Sequence, residues 1–150
     1  MISVFIYDEN IHYQKMIYEC INNHILTKKY DMEILLCTAN HSEILKHIVE
    51  NEVDGMYFLT LEQDNGHAVL EAAKSIREND PRGFIVFVSD HSEFILLIFE
   101  YMLEALGYIP KAHEETLFKE IRECLDIAYS RHVLAQELYG IAYGSAFPLS

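Results

Sequence analysis

The sequence predicts an α/β fold in which helices cover both faces of a doubly wound, five-stranded parallel sheet of strand order 2-1-3-4-5. Short β-rich runs alternate with helical patterns along the 150 residues, which favours strand–helix–strand units joined by right-handed crossovers. The fourth β-rich run is apolar throughout, as expected for a strand buried on both faces. A doubly wound sheet of this strand order is a common five-stranded arrangement of such units.

The predicted strands are short runs rich in β-branched, aromatic and other apolar residues. In chain order they are ISVFIY (2–7), MEILLCT (32–38), GMYFLTL (55–61), GFIVFVS (83–89) and LGYIP (106–110). The turn Asp80-Pro81-Arg82-Gly83 precedes the fourth run, and its composition is typical of a chain reversal.

The predicted helices have apolar residues at spacings of three and four, which places them on one face. In chain order they cover residues 10–28, 41–52, 67–79, 92–105 and 114–134. Ser42 is the predicted N-cap of the second helix. The last helix has acidic residues in its first turn and Arg131 near its end, both favourable to the helix dipole.

The segment 135–150 differs in composition, with glycines, alternating aromatics and a proline. We therefore predict one domain over residues 1–134. The remainder is interpreted as a linker plus the first strand of a truncated second domain, with a disordered tail as the alternative.

Charge and cysteine content limit the class of protein. The chain has 24 acidic and 11 basic side chains and a formal net charge of −13, so this domain alone should repel nucleic acid. Cys20, Cys37 and Cys124 are scattered in apolar patterns, as expected for reduced core residues. The longest apolar run contains Glu100 and Glu104, and the N-terminal run is too short for a signal peptide. We expect a cytoplasmic protein without membrane association.

Chemically useful side chains follow the carboxyl ends of the predicted strands, where ligands bind in open α/β sheets. Asp8 and Glu9 follow the first strand, Thr60 lies near the end of the third, Ser89 ends the fourth, and Lys111 follows the fifth. An adjacent acid pair suits Mg²⁺, and a lysine with a hydroxyl suits a phosphoryl group. The alternative is that the two acids only cap and charge the first helix.

Several motifs resemble those of LytTR-type response regulators, of the accessory-gene-regulator and competence-regulator kind. They are YFLTL, SIRENDPRGFIVFVSDHSEF and AYSRHVLAQ, within a resemblance to receiver domains over residues 1–134. The resemblance implies a flavodoxin-like receiver fold that a sensor histidine kinase phosphorylates on an aspartate. It also implies a C-terminal LytTR domain that binds promoter DNA, and the segment GIAYGSAFPLS resembles its opening strand.

The resemblance assigns roles to individual residues. Asp8 and Glu9 match the metal-binding acid pair, Ser89 the switch hydroxyl, Tyr108 the switch aromatic and Lys111 the phosphoryl-binding lysine. Mg²⁺ is the implied cofactor.

Thr60 departs from this pattern, because it stands where the resemblance places the phospho-accepting aspartate. A threonine hydroxyl is neutral and a poor acceptor without an adjacent base. Its presence also removes one carboxylate from the metal site, so Mg²⁺ should bind weakly. We therefore predict a non-phosphorylatable pseudo-receiver that regulates transcription and is not an enzyme, with Asp64 as the alternative acceptor.

Two further alternatives concern association and ligand. The apolar run 94–99 is either a deeply buried helix or a self-association surface, and we favour a homodimer. A flavin-binding module of the same topology is the alternative function. It would need a glycine- and hydroxyl-rich loop after the first strand, whereas YDENIHYQ is acidic there.

Overall fold

The protein has the predicted doubly wound fold. The computed structural model describes the backbone of residues 1–146 and the side chains of residues 1–139. Within this range the strands are β1 (Ile2–Tyr7), β2 (Met32–Thr38), β3 (Gly55–Thr60), β4 (Phe84–Val88) and β5 (Gly107–Ile109). The helices are α1 (Ile11–Lys28), α2 (His41–Glu50), α3 (Gly66–Asn79), α4 (Phe94–Glu100) and α5 (Glu114–Ala146). All neighbouring strands are parallel and their order is β2-β1-β3-β4-β5, which confirms the prediction.

Two apolar cores lie on the two faces of the sheet. Ile6, Phe58 and Val86 are neighbours across β1, β3 and β4 and pack under α1 and α5. The next residues along the central strands, Leu59 and Phe87, face the opposite core under α2, α3 and α4. Every residue of β3 is buried, because this central strand is covered on both faces.

The strand register brings the carboxyl ends of the central strands to one edge. The backbone pairing continues one residue past the strands, with Leu61 N donating to Val88 O and Ser89 N donating to Ile109 O, both at 2.9 Å. The residues that follow β3 and β4 are therefore fixed beside the ends of the neighbouring strands by ladder hydrogen bonds.

The predicted N-cap of α2 was wrong by two residues. Asn40 is the cap, and its Oδ1 accepts a hydrogen bond from Ser42 N at 3.0 Å. Ser42 Oγ donates to the same oxygen at 2.7 Å. The asparagine takes this role because it lies in extended backbone just before the first helical turn, with its side chain directed at the free N–H groups.

The helix predicted over 92–105 is shorter in the structure, since α4 ends at Glu100. The chain then enters left-handed backbone at Met102, with φ 55°, and at Glu104, with φ 53°, which a helix cannot continue through. The guanidinium of Arg77, on α3, donates to the carbonyl oxygens of both Leu103 and Glu104 and so fixes this connection.

The apolar run on α4 is partly buried and partly exposed. Phe94 and Ile98 face the core, whereas Leu96 is 65% exposed and Phe99 is 75% exposed. Met102, just after the helix, is also largely exposed. We call the exposed side chains of Leu96, Phe99 and Met102 the α4 face.

The last helix is longer than predicted. We expected it to end near Leu134, with a linker and a strand after it, but α5 continues as helix through Ala146. Alanine, glutamine, glutamate and leucine over 135–138 are good helix formers, so the helix propagates past the predicted end. Residues 147–150, which include the proline of the predicted strand, lie outside the described residues. That 135–150 precedes a second domain stays a prediction.

Candidate functional site

Four of the predicted site residues lie together at the carboxyl edge of the sheet. Asp8 follows β1, Thr60 ends β3, Ser89 follows β4 and Lys111 follows β5. Each is buried: Asp8, Thr60 and Ser89 are 1% exposed and Lys111 is 5% exposed. Buried polar groups of this kind must find partners inside the protein, and the partners determine what the site can do.

Lys111 is the centre of the charged contacts. Its Nζ lies 3.1 Å from Asp8 Oδ2 and 3.2 Å from Glu62 Oε2. The same ammonium lies 4.0 Å from the centroid of the Tyr13 ring, a cation–π contact. The backbone N–H of Lys111 donates to Asp90 Oδ1 at 2.7 Å, which fixes the start of the chain after β5.

Both carboxylate oxygens of Asp8 have donors. Thr60 Oγ1 donates to Asp8 Oδ2 at 2.9 Å, beside the Lys111 ammonium on the same oxygen. The other oxygen, Oδ1, accepts from Asn10 N at 2.9 Å. The carbonyl of Asp8 accepts from Gln14 Nε2 at 2.6 Å, so the first turn of α1 also fixes its backbone. The Asp8 side chain is therefore held in one orientation by three residues, and a fourth holds its backbone carbonyl.

Glu9 belongs to a different hydrogen-bond network. Its carboxylate accepts from Asn65 Nδ2 at 2.9 Å and from Tyr7 OH at 3.0 Å, and the residue is exposed. The hydrogen bond from Asn65, followed by that from Tyr7, lowers the pKa of the Glu9 carboxyl. The acid pair that is adjacent in sequence therefore diverges in space, because successive residues after a strand point to opposite sides.

The arrangement does not fit a divalent cation. Mg²⁺ needs several oxygen ligands around one point, but Asp8 is already bonded on both oxygens and Glu9 faces Tyr7 and Asn65. Over the residues whose side chains the structure describes, no group of three or more His, Cys, Asp or Glu side chains could hold a metal ion.

The two predicted switch residues are joined through one backbone segment. Ser89 Oγ donates to Leu61 O at 2.7 Å and accepts from His91 N at 2.9 Å. Tyr108 OH donates to His91 O at 2.5 Å, and burial raises the pKa of this phenol. The hydroxyl of Ser89 thus connects the chain after β3 with the chain after β4.

Glu62 is the functional residue that sequence reasoning missed. It lies in the loop LEQDNG after β3, where it contacts Lys111 and also places Oε1 3.4 Å from His91 Nε2. Asn65 orients this loop, since its Oδ1 accepts from Glu62 N at 2.9 Å. The sequence did contain a signal for this residue, namely an acid two residues past the end of a buried strand. Asp64, the predicted alternative acceptor, is exposed and lies four residues past Thr60 in this loop.

Known proteins with similar sequences are bacterial regulators. The chain is 30% identical over 129 residues to the accessory gene regulator protein A of Staphylococcus epidermidis, covering 86% of this chain and 54% of that protein. It is 31% identical over 129 residues to the protein of the same name in Staphylococcus aureus, with the same coverage. The chain thus spans about half the length of these curated relatives. No protein-family model matches the sequence.

Solved structures with the same fold are receiver domains. The response regulatory domain of protein mrkE from Klebsiella pneumoniae superposes with a TM-score of 0.66 at 26% identity, over 86% of this chain and 98% of that one. The REC domain of AraT from Geobacillus stearothermophilus superposes with a TM-score of 0.68 at 22% identity, over 89% of this chain and 97% of that one, and shows the fold alone.

In the described part of this chain, no helix is long and apolar enough to span a membrane. The fold and the sequence similarities together identify the chain as a response-regulator receiver domain.

Proposed function

We propose that this chain is a pseudo-receiver, the regulatory domain of a transcription-controlling response regulator whose acceptor position does not take a phosphoryl group. The observation that carries the proposal is the bond from Thr60 Oγ1 to Asp8 Oδ2. Thr60 is 1% exposed, and its hydroxyl donates its hydrogen bond to a carboxylate that is already paired with Lys111.

The chemistry of Thr60 explains why transfer should fail. An aspartate carboxylate attacks phosphorus directly, the bond from phosphorus to the donor breaks, and no proton needs to leave the nucleophile. A threonine hydroxyl must lose its proton to a base in the same step. Asp8 accepts the hydrogen bond of that hydroxyl, but the same carboxylate oxygen is already paired with the Lys111 ammonium, and Thr60 has no other base among its hydrogen-bond partners in the described residues.

The partners follow from the relatives and are proposals for this chain. We propose that it belongs to a LytTR-type regulator of the cytoplasm, that DNA is bound by a C-terminal domain, and that the receiver itself is no enzyme. A sensor histidine kinase is the partner in ordinary relatives. The exposed α4 face supports a homodimer, because contiguous apolar surface on a domain usually marks an interface.

The flavin-binding alternative is not favoured. The loop after β1 carries two acids, Asp8 and Glu9, where a flavodoxin-type module would need a glycine- and hydroxyl-rich phosphate loop. A bound phosphate would need backbone N–H groups free of such acids.

The test is the intact mass of the protein after incubation with acetyl phosphate and Mg²⁺. We expect no gain for the unmodified chain and a gain of one phosphoryl group, with release of acetate, for Thr60→Asp. Thr27→Asp, which adds an acid to an exposed part of α1, is the matched control and should gain nothing. A phosphoryl group on the unmodified chain would contradict the proposal. Its failure to appear on Thr60→Asp would show that Thr60 is not what prevents acceptance.

A further inference from the structure

The site already contains a cation, the ammonium of Lys111, enclosed by acids. Its Nζ contacts Asp8 Oδ2 at 3.1 Å and Glu62 Oε2 at 3.2 Å, and Tyr13 covers it at 4.0 Å. A lysine ammonium is strongly hydrated, so a residue that is 5% exposed must be compensated by such partners. These three contacts replace part of the water that the ammonium loses on burial.

The carboxylate of Asp8 already has partners on both oxygens, which leaves few positions for a second cation. Its Oδ1 accepts the backbone N–H of Asn10, and its Oδ2 accepts the Thr60 hydroxyl beside the Lys111 ammonium. A divalent ion on Oδ2 would have to displace the Thr60 hydroxyl or the lysine, and one on Oδ1 would share that oxygen with the backbone N–H of Asn10. The second acid of the sequence pair cannot substitute, because Glu9 is bonded to Tyr7 and Asn65.

Glu62 supplies the carboxylate that Thr60 does not. It follows the same strand end as Thr60, two residues later, and its Oε2 lies 3.2 Å from Lys111 Nζ. Since Thr60 is neutral, the cluster consists of two carboxylates around one ammonium. The Glu62 carboxylate is partly exposed to water and also contacts His91. An aspartate at position 60 would make three carboxylates around one ammonium, a charge that favours an added cation.

We propose that Lys111 is the resident cation of this pocket and stands in place of a divalent metal, so that the folded state of this domain is independent of Mg²⁺. This inference rests on the proposed function and deepens it, because it assigns the metal role of the pocket to a residue of the chain. Glu62 acts here as a positioning residue, which holds the ammonium between two strand ends.

The first measurement is the melting temperature of the unmodified protein with and without Mg²⁺, followed by tyrosine fluorescence, since the chain has 10 tyrosines and no tryptophan. At about 10 mM Mg²⁺, a site with a Kd of about 1 mM would raise the melting temperature by roughly 3 to 6 °C. We expect a shift of less than about 1 °C. A Mg²⁺-dependent rise that disappears in Asp8→Asn would overturn the inference.

Removing the lysine should create the metal site. In Lys111→Met the carboxylates of Asp8 and Glu62 lose their cation, so we expect Mg²⁺ to raise the melting temperature by several degrees, on the order of 3 °C or more. The rise should be lost in Lys111→Met combined with Glu62→Gln. Lys119→Met, at an exposed position of α5, is the matched control and should be insensitive to Mg²⁺. A Lys111→Met protein that folds and ignores Mg²⁺ would contradict the inference.

A readout on the unmodified protein covers the case in which Lys111→Met does not fold. In ¹⁵N NMR of lysine ammonium groups, Lys111 should give a protected signal that Mg²⁺ does not shift, in contrast to exposed Lys119. A Lys111 signal that exchanges freely or moves with Mg²⁺ would refute the role. Neither result depends on phosphorylation, so this inference and the proposed function fail on different measurements.

Discussion

Thr60 and Asp8, 52 positions apart in sequence, share a hydrogen bond of 2.9 Å at the carboxyl edge of the sheet. Thr60, which we propose stands at the acceptor position, is therefore a direct partner of the Asp8 carboxylate. In this pocket a neutral donor and an ammonium satisfy Asp8 together. Substitution at position 60 changes the charge balance of a buried cluster, and its effects can be measured as stability.

Replacing Thr60 should destabilise the domain to an extent that depends on charge. Thr60→Val keeps the volume but removes the donor, at a cost of about 1 kcal/mol. Thr60→Asp adds a like charge beside Asp8 and should cost more, about 2 to 3 kcal/mol without metal. Urea unfolding in the presence of a chelator measures both. A Thr60→Asp protein at least as stable as Thr60→Val under these conditions would contradict the charge argument.

Ser89→Ala should lower the free energy of unfolding by about 1 to 3 kcal/mol, because it leaves two backbone groups without their partner. The Leu61 carbonyl loses its donor and the His91 N–H loses its acceptor. Ser92→Ala, at an exposed position in the same loop, should change stability by less than about 0.5 kcal/mol. Equal effects of the two substitutions in urea unfolding would show that Ser89 does not connect the strand ends.

The stability of the domain should depend on the ionisation of Asp80. Burial raises the pKa of its carboxyl, although hydrogen bonds from Tyr57 OH at 2.7 Å and Gly55 N at 2.9 Å oppose the rise. A raised folded pKa means that Asp80 favours folding below its unfolded pKa of about 4, and this contribution is lost as pH rises through the folded value.

Asp80→Asn resembles the protonated form, so its stability relative to the unmodified protein should increase from about pH 4 to about pH 7. Urea unfolding midpoints of both proteins across this range measure the difference. Asp64→Asn, which changes an exposed acid, should show no such trend. A difference that shrinks as pH rises would mean that the folded pKa of Asp80 lies below its unfolded value.

Substitution on the α4 face should change association without changing the fold. Phe99 is 75% exposed, so Phe99→Glu should leave the melting temperature within about 2 °C and shift a dimer to monomer in sedimentation velocity. Leu26→Glu, at a similarly exposed apolar residue of α1, is the control and should leave association unchanged. Identical sedimentation of Phe99→Glu and the unmodified protein would exclude this face as the dimer interface.

The fold could be predicted from the sequence because strand and helix periods are strong, local signals. The predicted strands agree with the structure to within one residue at each end. The errors concern helix ends, which depend on local competition. At α2 the cap is Asn40 and not Ser42. At α4 the apolar periodicity predicted a helix to residue 105, but the left-handed backbone at Met102 ends the helical region earlier.

The site could be predicted only where strand ends determine it. Asp8, Thr60, Ser89 and Lys111 lie together because parallel strands in register end at one edge. The direction of the Glu9 side chain and the reach of Glu62 could not be derived, since both depend on side-chain partners in the loop after β3, such as Asn65. Pattern shows which residues follow a strand, but hydrogen bonds decide which way each one points.

Arg77 has a consequence for any attempt to redesign this domain. Its guanidinium donates to the carbonyls of Pro81, Gly83, Leu103 and Glu104, and so ties the turn before β4 to the connection before β5. A lysine offers a point charge and cannot span four carbonyls with one planar group. An engineer who grafts new binding residues onto α4 should therefore keep arginine at position 77, because the carbonyls that it holds fix the connection that follows the helix.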